Sequence, residues 1–275
     1  MVTGVAAFTV EATTHLLTET NLTIEGISGR VRVQFSDDDQ FHFDYDPEDY
    51  IVVFNTEGNE HHITVEAIMR QTTNLWGWVM NTAPDSEATI YIPNHLYENL
   101  ALIVRSGMIE MEPETTVNAN TFSAEVRSGM ITLSSLDAET FLADIWSGMF
   151  RATSIAATDA TATIRSGSFN ASSITANTFT AELQSGSLTV ASVDADEVTA
   201  SVSSGSLRLH EVNTNIFTGS VTSGSFNVGS INDDADIDIT GHGVAFVNGQ
   251  RWQSQTSQQP PGWHFCKDTW QWIWR

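Results

Sequence analysis

Carboxylates recur at a fixed spacing of 19 in the middle of the chain: Asp144 follows Glu125 by one such step, and Glu182 follows Asp144 by two. If the chain coils with this period, Glu125 and Asp144 lie on neighbouring turns about 4.8 Å apart. Two carboxyl groups roughly 5 Å apart are the arrangement of a retaining glycoside hydrolase. The alternative is a structural column of like charges whose repulsion is offset by nearby arginines. Because no pattern indicates a walled cleft that would shift a pKa, we predict no catalytic residue and a protein that is not an enzyme.

Residues suited to contacts with a partner stand beside these carboxylates. They are Arg105, Arg127, Trp146 and Arg165, at equivalent positions of the spacing, and Met108, Met130 and Met149, each three positions after a member of the first set. Aromatic, methionine and arginine side chains are enriched in protein interfaces. We therefore predict a contact surface at these seven residues. The alternative for the methionines is that they fill a gap in the core at a corner.

Other polar clusters are weaker candidates for a site. The acidic runs Asp37–Asp39 and Asp233–Asp236 offer oxygen ligands but lack the spacing of a calcium-binding loop. The pair His61-His62 has no partner cluster for a transition metal, which favours a histidine pair at a strand edge. Threonines also form columns, at Thr121, Thr140 and Thr178 and at Thr161, Thr180, Thr199 and Thr218. Charged and apolar residues, Asp159, Glu197, Leu142 and Ile216, interrupt these columns, which disfavours the flat array of an ice-binding surface. From the missing ligand spacings we predict no metal and no cofactor, and we keep calcium and ice binding as alternatives.

The residues above owe their spacing to a repeat that runs from Arg105 to about Gly243. A Ser-Gly pair marks each unit, at Ser106-Gly107, Ser128-Gly129, Ser147-Gly148, Ser166-Gly167, Ser185-Gly186, Ser204-Gly205 and Ser223-Gly224. The numbers of the serines differ by 22 at the first step and by 19 at every later one. A fixed period of about twenty residues is typical of a solenoid, in which each unit buries its apolar side by stacking on its neighbours.

Apolar residues occupy the same positions in every unit. Two positions after the glycines stand Ile109, Ile131, Phe150, Phe169, Leu188, Leu207 and Phe226. Around such columns polar residues alternate with period two, as in strands, and Ser, Asp and Asn cluster where the alternation breaks. No apolar stripe recurs at helical spacing. We predict an all-β fold, a single-stranded parallel β-solenoid (β-helix) with ~19-residue coils, about three short strands per coil and a right-handed path.

The repeat divides the chain into four parts. Residues 1–104 are an irregular β region, interpreted as degenerate or wider coils of the same solenoid, with a separate capping sandwich as the alternative. Residues 105–248 are the regular solenoid of seven to eight coils. Residues 249–261 are predicted to be a polar linker. Residues 262–275 form a Trp-rich tail.

Departures from the repeat carry their own predictions. The serines of Ser28-Gly29 and Ser106-Gly107 differ in number by 78, close to four steps of 19, which predicts about four coils between the two pairs. Extra residues around Glu112–Glu114 predict a bulged corner. In the last coil, a one-residue slip between 232 and 236 would keep aspartates out of the core and turn apolar residues inward. The pair His242-Gly243 resembles a Ser-Gly pair that begins a partial eighth coil.

The tail carries a dense cluster of aromatic residues. They are Trp263, Phe265, Trp270, Trp272 and Trp274. In a strand the last three tryptophans share one face and would cover the apolar cross-section and unpaired edge that end a solenoid. We therefore predict a cap on the last coil. Contact with a partner or a second subunit, and an interfacial membrane foot using Lys267 and Arg275, are the alternatives.

Composition restricts the partners. Acidic residues number 34 against 11 basic ones, for a net charge of −23, which argues against nucleic acid or an anionic lipid surface. Cys266 is the single cysteine, so no intrachain disulfide can form. The chain has no apolar run of the roughly eighteen residues that a spanning helix needs. Its first residues do not read as a signal peptide, and location is not set by these features.

The phrase from Leu22 to Val33, and Ile90–Pro93 followed by Leu102–Gly107, resemble the bacterial putative-adhesin family. These β-strand-repeat domains of unknown function also occur in Lia-type cell-envelope stress proteins. The resemblance covers roughly Phe8 to Gly243. It implies a β-solenoid, an extracytoplasmic or cell-surface setting, an envelope protein or glycan as partner, and no catalytic residues. A cytoplasmic location is the alternative, because the tail is outside the family pattern.

Overall fold

The computed structural model describes residues 8–9, 20–38, 40–73, 79–82, 84–252, 263–266 and 271–274. The first strands are β1 (Phe8–Thr9), β2 (Asn21–Gly26), β3 (Arg30–Ser36), β4 (His42–Asp44), β5 (Tyr50–Glu57), β6 (Glu60–Ala67), β7 (Arg70–Thr73), β8 (Val79–Thr82), β9 (Ala88–Pro93), β10 (Tyr97–Val104), β11 (Met108–Met111) and β12 (Thr116–Val126). The later strands are β13 (Met130–Ile145), β14 (Met149–Ile164), β15 (Ser168–Leu183), β16 (Ser187–Val202), β17 (Ser206–Asn213), β18 (Ile216–Val221), β19 (Ser225–Ile231), β20 (Asp236–Gly241), β21 (Val244–Val247), β22 (Gln250–Trp252), β23 (Trp263–Cys266) and β24 (Gln271–Trp274). Among these described residues there is no helix, and so none that could span a membrane.

Parallel pairing in a constant register builds the solenoid. Ile131 of β13 lies beside Phe150 of β14, and Phe150 lies beside Phe169 of β15, so each step along the stack is one unit of the repeat. These inward side chains are fully buried, and the rings of Phe150 and Phe169 stack with centroids 5.2 Å apart. The predicted all-β parallel solenoid is confirmed. Its right-handed path stays a prediction.

Each central coil is one long strand rather than the three short strands expected. Strands β13 to β16 have 16 residues each and end only at the Ser-Gly pairs. At the other corners the chain bends, but the parallel hydrogen bonding between adjacent coils continues, because every coil bends at the same position. Residues on both sides of a bend therefore keep their partners in the adjacent coil.

Successive coils approach too closely at the Ser-Gly corners for any side chain to fit. A Cβ added to Gly148 would lie 2.3 Å from the carbonyl oxygen of Gly129 in the coil before. The flanking amides close this contact: Ser147 N donates to Arg127 O at 2.8 Å, and Met149 N donates to Gly129 O at 2.9 Å. Glycine is required here by close backbone approach.

The first coil in the chain is not at the end of the stack. β2 lies between β6 and β10, and β3 lies between β9 and β11, with parallel pairing throughout. The pairs Ser28-Gly29 and Ser106-Gly107 are therefore on adjacent coils, and Met108 N donates to Gly29 O at 2.8 Å. The prediction of about four coils between them is wrong. The intervening chain instead places β6 and β9 on the other side of the first coil, and β5 and β4 pair antiparallel with β6 and β9.

The predicted departures from the regular repeat occur in the structure. Between β11 and β12 the chain makes a corner in which Glu114 has a φ of 63°. In the last coil a turn at 232–235 shifts the register, and Ile237 and Ile239 enter the inner columns. The pair His242-Gly243 occupies the next corner, followed by the partial coil of β21.

The first residues of the predicted linker are a strand. β22 folds back antiparallel on β21 around Asn248 and Gly249, whose φ angles are 52° and 73°. A two-residue Asn-Gly loop with both φ angles positive is a favoured β-hairpin turn. The linker prediction is therefore wrong for residues 250–252. The rest, 253–261, lies outside the described residues.

The tail contains an antiparallel hairpin. Trp263 of β23 lies opposite Trp274 of β24, and Phe265 lies opposite Trp272, so these four positions share one face of a two-stranded sheet. Trp270, the remaining aromatic residue of the predicted cap, lies outside the described residues. The core positions of the last coil are buried, with Ile239, Ala245 and Val247 at 5%, 2% and 1% exposure, as expected of a covered end. That the tail supplies the cover stays a prediction.

Replacing Gly148 with Ala should destabilise the stack, because its Cβ would collide with the backbone of the preceding coil. Overpacking of this kind costs about 1–3 kcal/mol or more, which lowers the melting temperature by roughly 2–12 °C. The control is Gly26→Ala, whose Cβ would meet its nearest atom at 3.4 Å. Thermal unfolding followed by circular dichroism measures both. Equal melting temperatures for the two variants would contradict the close-approach requirement.

Truncation after Gln259 tests the predicted cap. Without the tail the end of the last coil should be exposed, which lowers the melting temperature and favours end-to-end association. Calorimetry and sedimentation at several protein concentrations measure these effects. A truncated protein that stays monomeric with unchanged melting, yet no longer binds vesicles or a partner, would assign the tail to one of the alternative roles.

Candidate functional site

The structure brings all seven predicted contact residues to one corner of the solenoid. Arg105, Arg127, Trp146 and Arg165 stack on consecutive coils just before the Ser-Gly pairs, and Met108, Met130 and Met149 stack just after them. We call these seven residues the Arg–Trp surface. The arginines and Trp146 are exposed or half-buried, and the methionines are half-buried. The methionine side chains therefore contribute to the outer surface.

The carboxylates of the candidate acid pair are ion-paired with arginines of this surface. Glu125 and Asp144 lie beside each other on adjacent coils, and Glu182 is two coils beyond Asp144. Arg127 Nε donates to Glu125 Oε1 at 2.8 Å, and Arg165 Nε lies 3.7 Å from Asp144 Oδ1. This geometry supports the structural interpretation, in which arginines offset the repulsion between stacked carboxylates.

The same ladder of charges continues into the N-terminal region. Arg105 Nε donates to Glu25 Oε1 at 2.5 Å, and His62 Nε2 lies 3.6 Å from Glu25 Oε2. On β5, which is separated from Glu25 of β2 by β6, the apolar side chains of Ile51 and Val53 are exposed. Glu25 and Arg105 are far apart in the sequence. Their pairing could not be found from sequence spacing, because it depends on the reordered first coil.

The two neighbouring histidines are not at a strand edge, because β6 lies between β5 and β2. His61 points inward, with its ring 5.1 Å from that of Phe41 and 5.9 Å from that of Phe54. Its Nδ1 is 3.0 Å from Thr56 Oγ1. Burial lowers the pKa of His61, which keeps it neutral in the core. His62 points outward, beside Glu25.

Trp146 is the aromatic centre of the Arg–Trp surface. It is 44% exposed and directly follows β13, in the corner that contains Ser147 and Gly148. The guanidinium carbon of Arg165 lies 4.0 Å from the centroid of the indole, which is a cation–π contact. The ring is therefore held in place on one side and open to solvent on another. A large, ordered and exposed aromatic side chain is a typical anchor for a partner.

A shallow groove of about 530 Å³ runs along the Ser-Gly corners beside Trp146. It is lined by Ser128, Gly129, Ser147, Gly148, Met149, Ser166, Gly167, Ser168, Ser185, Gly186 and Ser187. Hydroxyl groups pair along it: Ser166 Oγ and Ser185 Oγ are 3.3 Å apart, and Ser187 Oγ donates to Ser168 Oγ at 3.1 Å. Sequence analysis interpreted these residues only as corners. The available signal is the triplet Ser-Gly-Ser, which first appears at Ser166.

The acidic runs do not form a metal site in the part of the chain that the structure describes, where no three His, Cys, Asp or Glu side chains are placed to hold an ion. Asp38 accepts a hydrogen bond from His42 at 2.7 Å, which lowers the pKa of Asp38. Asp39 lies outside the described residues. In the second run, Asn232 Nδ2 donates to Asp234 Oδ1 at 2.5 Å.

Comparison with known proteins gives a family and a fold. The family model described as Toastrack DUF4097 matches residues 19–241. A crystal structure of a putative adhesin from Parabacteroides merdae ATCC 43184 is similar with a TM-score of 0.59 at 10% identity, over 89% of this chain and 94% of that one. A putative lipid binding protein from Parabacteroides distasonis ATCC 8503 is similar with a TM-score of 0.51 at 12% identity, over 88% and 95%. No curated protein matches the chain. At such identities the two structures support the solenoid fold alone.

The double substitution Glu125→Gln and Asp144→Asn tests the role of the carboxylate column. Exposed ion pairs contribute about 0–1 kcal/mol each, so the free energy of unfolding should change by no more than about 2 kcal/mol. Binding to a partner should change by only a few-fold. Denaturant unfolding and a binding assay measure these two quantities. A glycan-cleaving activity that is present in the parent protein and lost in the double variant would contradict the structural role.

Proposed function

The chain belongs to the toastrack family DUF4097, and we propose that it is a non-enzymatic interaction protein of the bacterial cell envelope. Its rod of stacked coils presents the Arg–Trp surface to a partner. The four residues Arg105, Arg127, Trp146 and Arg165 lie in corners whose backbone is hydrogen-bonded from coil to coil, and the three methionines begin strands, so binding requires little ordering of the protein. The partner is an envelope protein or a glycan.

One observation carries this proposal: Trp146 is exposed, yet fixed by its contact with Arg165. Tryptophan and arginine dominate the energy of protein interfaces, where they sit in the centre of the contact. Three half-buried methionines lie across the corner from Trp146 and can adapt to a partner's shape. The surface therefore combines a rigid anchor with an adaptable rim.

A binding role explains the carboxylates better than catalysis does. Glu125 and Asp144 face arginines, and each remains partly exposed to water. A hydrolase would need one carboxyl group kept protonated in an apolar setting and the other kept ionised. The groove beside them is shallow and open. These features support a surface that holds a partner without transforming it.

Charge narrows the class of partner. With a net charge of −23, the protein is repelled by nucleic acid and by anionic lipid surfaces. One similar structure is described as a putative adhesin and another as a putative lipid binding protein, and the charge of this chain favours the first kind of activity. A location outside the cytoplasm, at the envelope, agrees with that activity. We assign no cofactor.

Substitution of Trp146 by Ala tests the proposed function. Labelled protein is titrated onto envelope fractions of the source bacterium, and bound protein is measured after sedimentation. Loss of an interface anchor costs about 2 kcal/mol or more, so the variant should bind at least roughly 10-fold more weakly. Circular dichroism should be unchanged, because the indole lies outside the core.

The matched control is Ile216→Ala, another exposed apolar residue on the outer side of a strand. It should bind like the parent protein. Equal binding by the parent, Trp146→Ala and Ile216→Ala would overturn the assignment of the Arg–Trp surface. Absence of any saturable binding to envelope fractions would overturn the proposed function itself.

A further inference from the structure

Strand β5 is an edge strand, away from the Arg–Trp surface. It pairs with β6 on one side, and β6 in turn pairs with β2 of the first coil. Within the described ranges, no strand pairs with the other side of β5. We call that side the open edge. An unpaired edge offers backbone donors and acceptors to which an extended peptide can add as a further strand.

The register identifies the backbone groups that point to the open edge. Val65 O of β6 accepts a hydrogen bond at 2.9 Å from the chain that follows β2. The polar groups of Val65 therefore face β2, and those of its neighbour Thr64 face β5, because these groups alternate in direction along a strand. Thr64 lies opposite Val53. It follows that Val53 bonds to β6, while the N–H and C=O groups of Val52 and Phe54 point to the open edge.

The side chains of β5 are apolar on both faces of the sheet. On the outer face, Ile51 and Val53 are 50% and 43% exposed. On the inner face, Val52 and Phe54 pack against the core, and the ring of Phe54 lies 5.2 Å from that of Phe41. Both are nevertheless only half-buried. A strand on the open edge would cover both faces with its alternate side chains.

Other edges of the sheet have features that discourage pairing, and β5 lacks them. β4 has three residues and is itself covered by β1. At the other end of the rod, β20 exposes the side chains of Asp236 and Asp238. Short strands and charged side chains are common ways of protecting an edge. The segment Tyr50–Thr56 of β5 contains no charged residue and no proline, so its open edge is suited to pairing.

The charges around β5 specify the partner. Asp46 and Glu48 precede the uncharged segment, Glu57 and Glu60 follow it, and all four are exposed. A strand with basic residues at both ends would bring opposite charges together at both ends of the contact. We propose that the open edge of β5 binds an extended apolar segment of a partner protein that is flanked by lysine or arginine residues.

A second copy of this chain fits the open edge less well. Two β5 strands that pair antiparallel around Val53 would place Glu57 of each copy near Glu48 of the other. Like charges in such positions destabilise a strand pair. The nearby Arg70 does not offset them, because it is bound by Asp49. Each copy also carries a net charge of −23.

The test titrates the full-length protein with a fluorescent peptide. Its core has the length of Tyr50–Thr56 and alternates valine and threonine, with two lysines at each end. Affinity for this lysine peptide should fall as salt is added, because salt screens the flanking charges. By NMR, the amides of Val52, Phe54 and Thr56 should exchange more slowly with solvent when the peptide is bound, since they point to the open edge.

Two control peptides separate the contributions of charge and backbone. One has glutamates in place of the lysines, and the other has prolines in place of the threonines. The first loses the attraction to the carboxylates around β5. The second cannot pair as a strand, because proline lacks the N–H donor. Each should bind at least about 10-fold more weakly than the lysine peptide.

Val53→Lys places a charge on the edge strand and should weaken binding of the lysine peptide at least about 10-fold. The matched control is Leu142→Lys, which adds the same charge at an apolar residue of the same exposure, 43%. Leu142 lies on β13, which is paired on both sides, so this variant should bind like the parent protein. Thermal melting checks that both variants fold.

The proposal is overturned if the lysine peptide does not bind at about 1 mM, or if Val53→Lys and Leu142→Lys bind it equally well. Equal binding of the lysine and glutamate peptides would show that the assigned charge of the partner is wrong. Sedimentation of the parent protein tests the other occupant. A dimer that Val53→Lys abolishes and Leu142→Lys preserves would assign the open edge to a second copy and contradict the proposal.

Discussion

The close approach of backbone to backbone at the Ser-Gly corners is the constraint on which the rest of the molecule depends. Because no side chain fits between Gly148 and Gly129, coils stack in direct contact there, and their amides bond in one register. That register aligns every other position of the repeat into a column. Inside the solenoid, each column therefore places similar apolar side chains on top of each other, such as the stacked phenylalanines. Outside it, carboxylates that stack on neighbouring coils have their repulsion offset by nearby arginines.

The regular coils could be predicted from the sequence because their contacts follow the period of the chain. The inward columns, the slip that turns Ile237 and Ile239 inward and the corner at His242-Gly243 all come from counting along the repeat. The same counting failed between Ser28 and Ser106. There the spacing is close to a multiple of the period by coincidence: the intervening chain adds β6 and β9 to the stack on the other side of the first coil, and β4 and β5 pair antiparallel with them. Local spacing carries no information about such a detour.

The candidate site, like the fold, could be predicted from the sequence only in part. Its columns of arginine and methionine were predictable, since they repeat with the period of the Ser-Gly pairs. The ion pair of Glu25 with Arg105 was not, because it depends on which coil lies next to which. The groove was also missed, although the Ser-Gly pairs and Met149 that line it were identified. A Ser-Gly-Ser triplet indicates a corner, but the small residues of four successive corners form a groove only because the coils stack in register.

The reordered first coil has a mechanical consequence. In a simple solenoid, a force on one terminus peels off the terminal coil by opening a single ladder of hydrogen bonds. Here β2 and β3 are each held between two neighbours. Tension applied through the N-terminal segment must therefore open ladders on both sides of a strand at once, within the stack instead of at its end. The N-terminal end of the rod therefore resists unravelling under tension more than a terminal coil with one neighbour would.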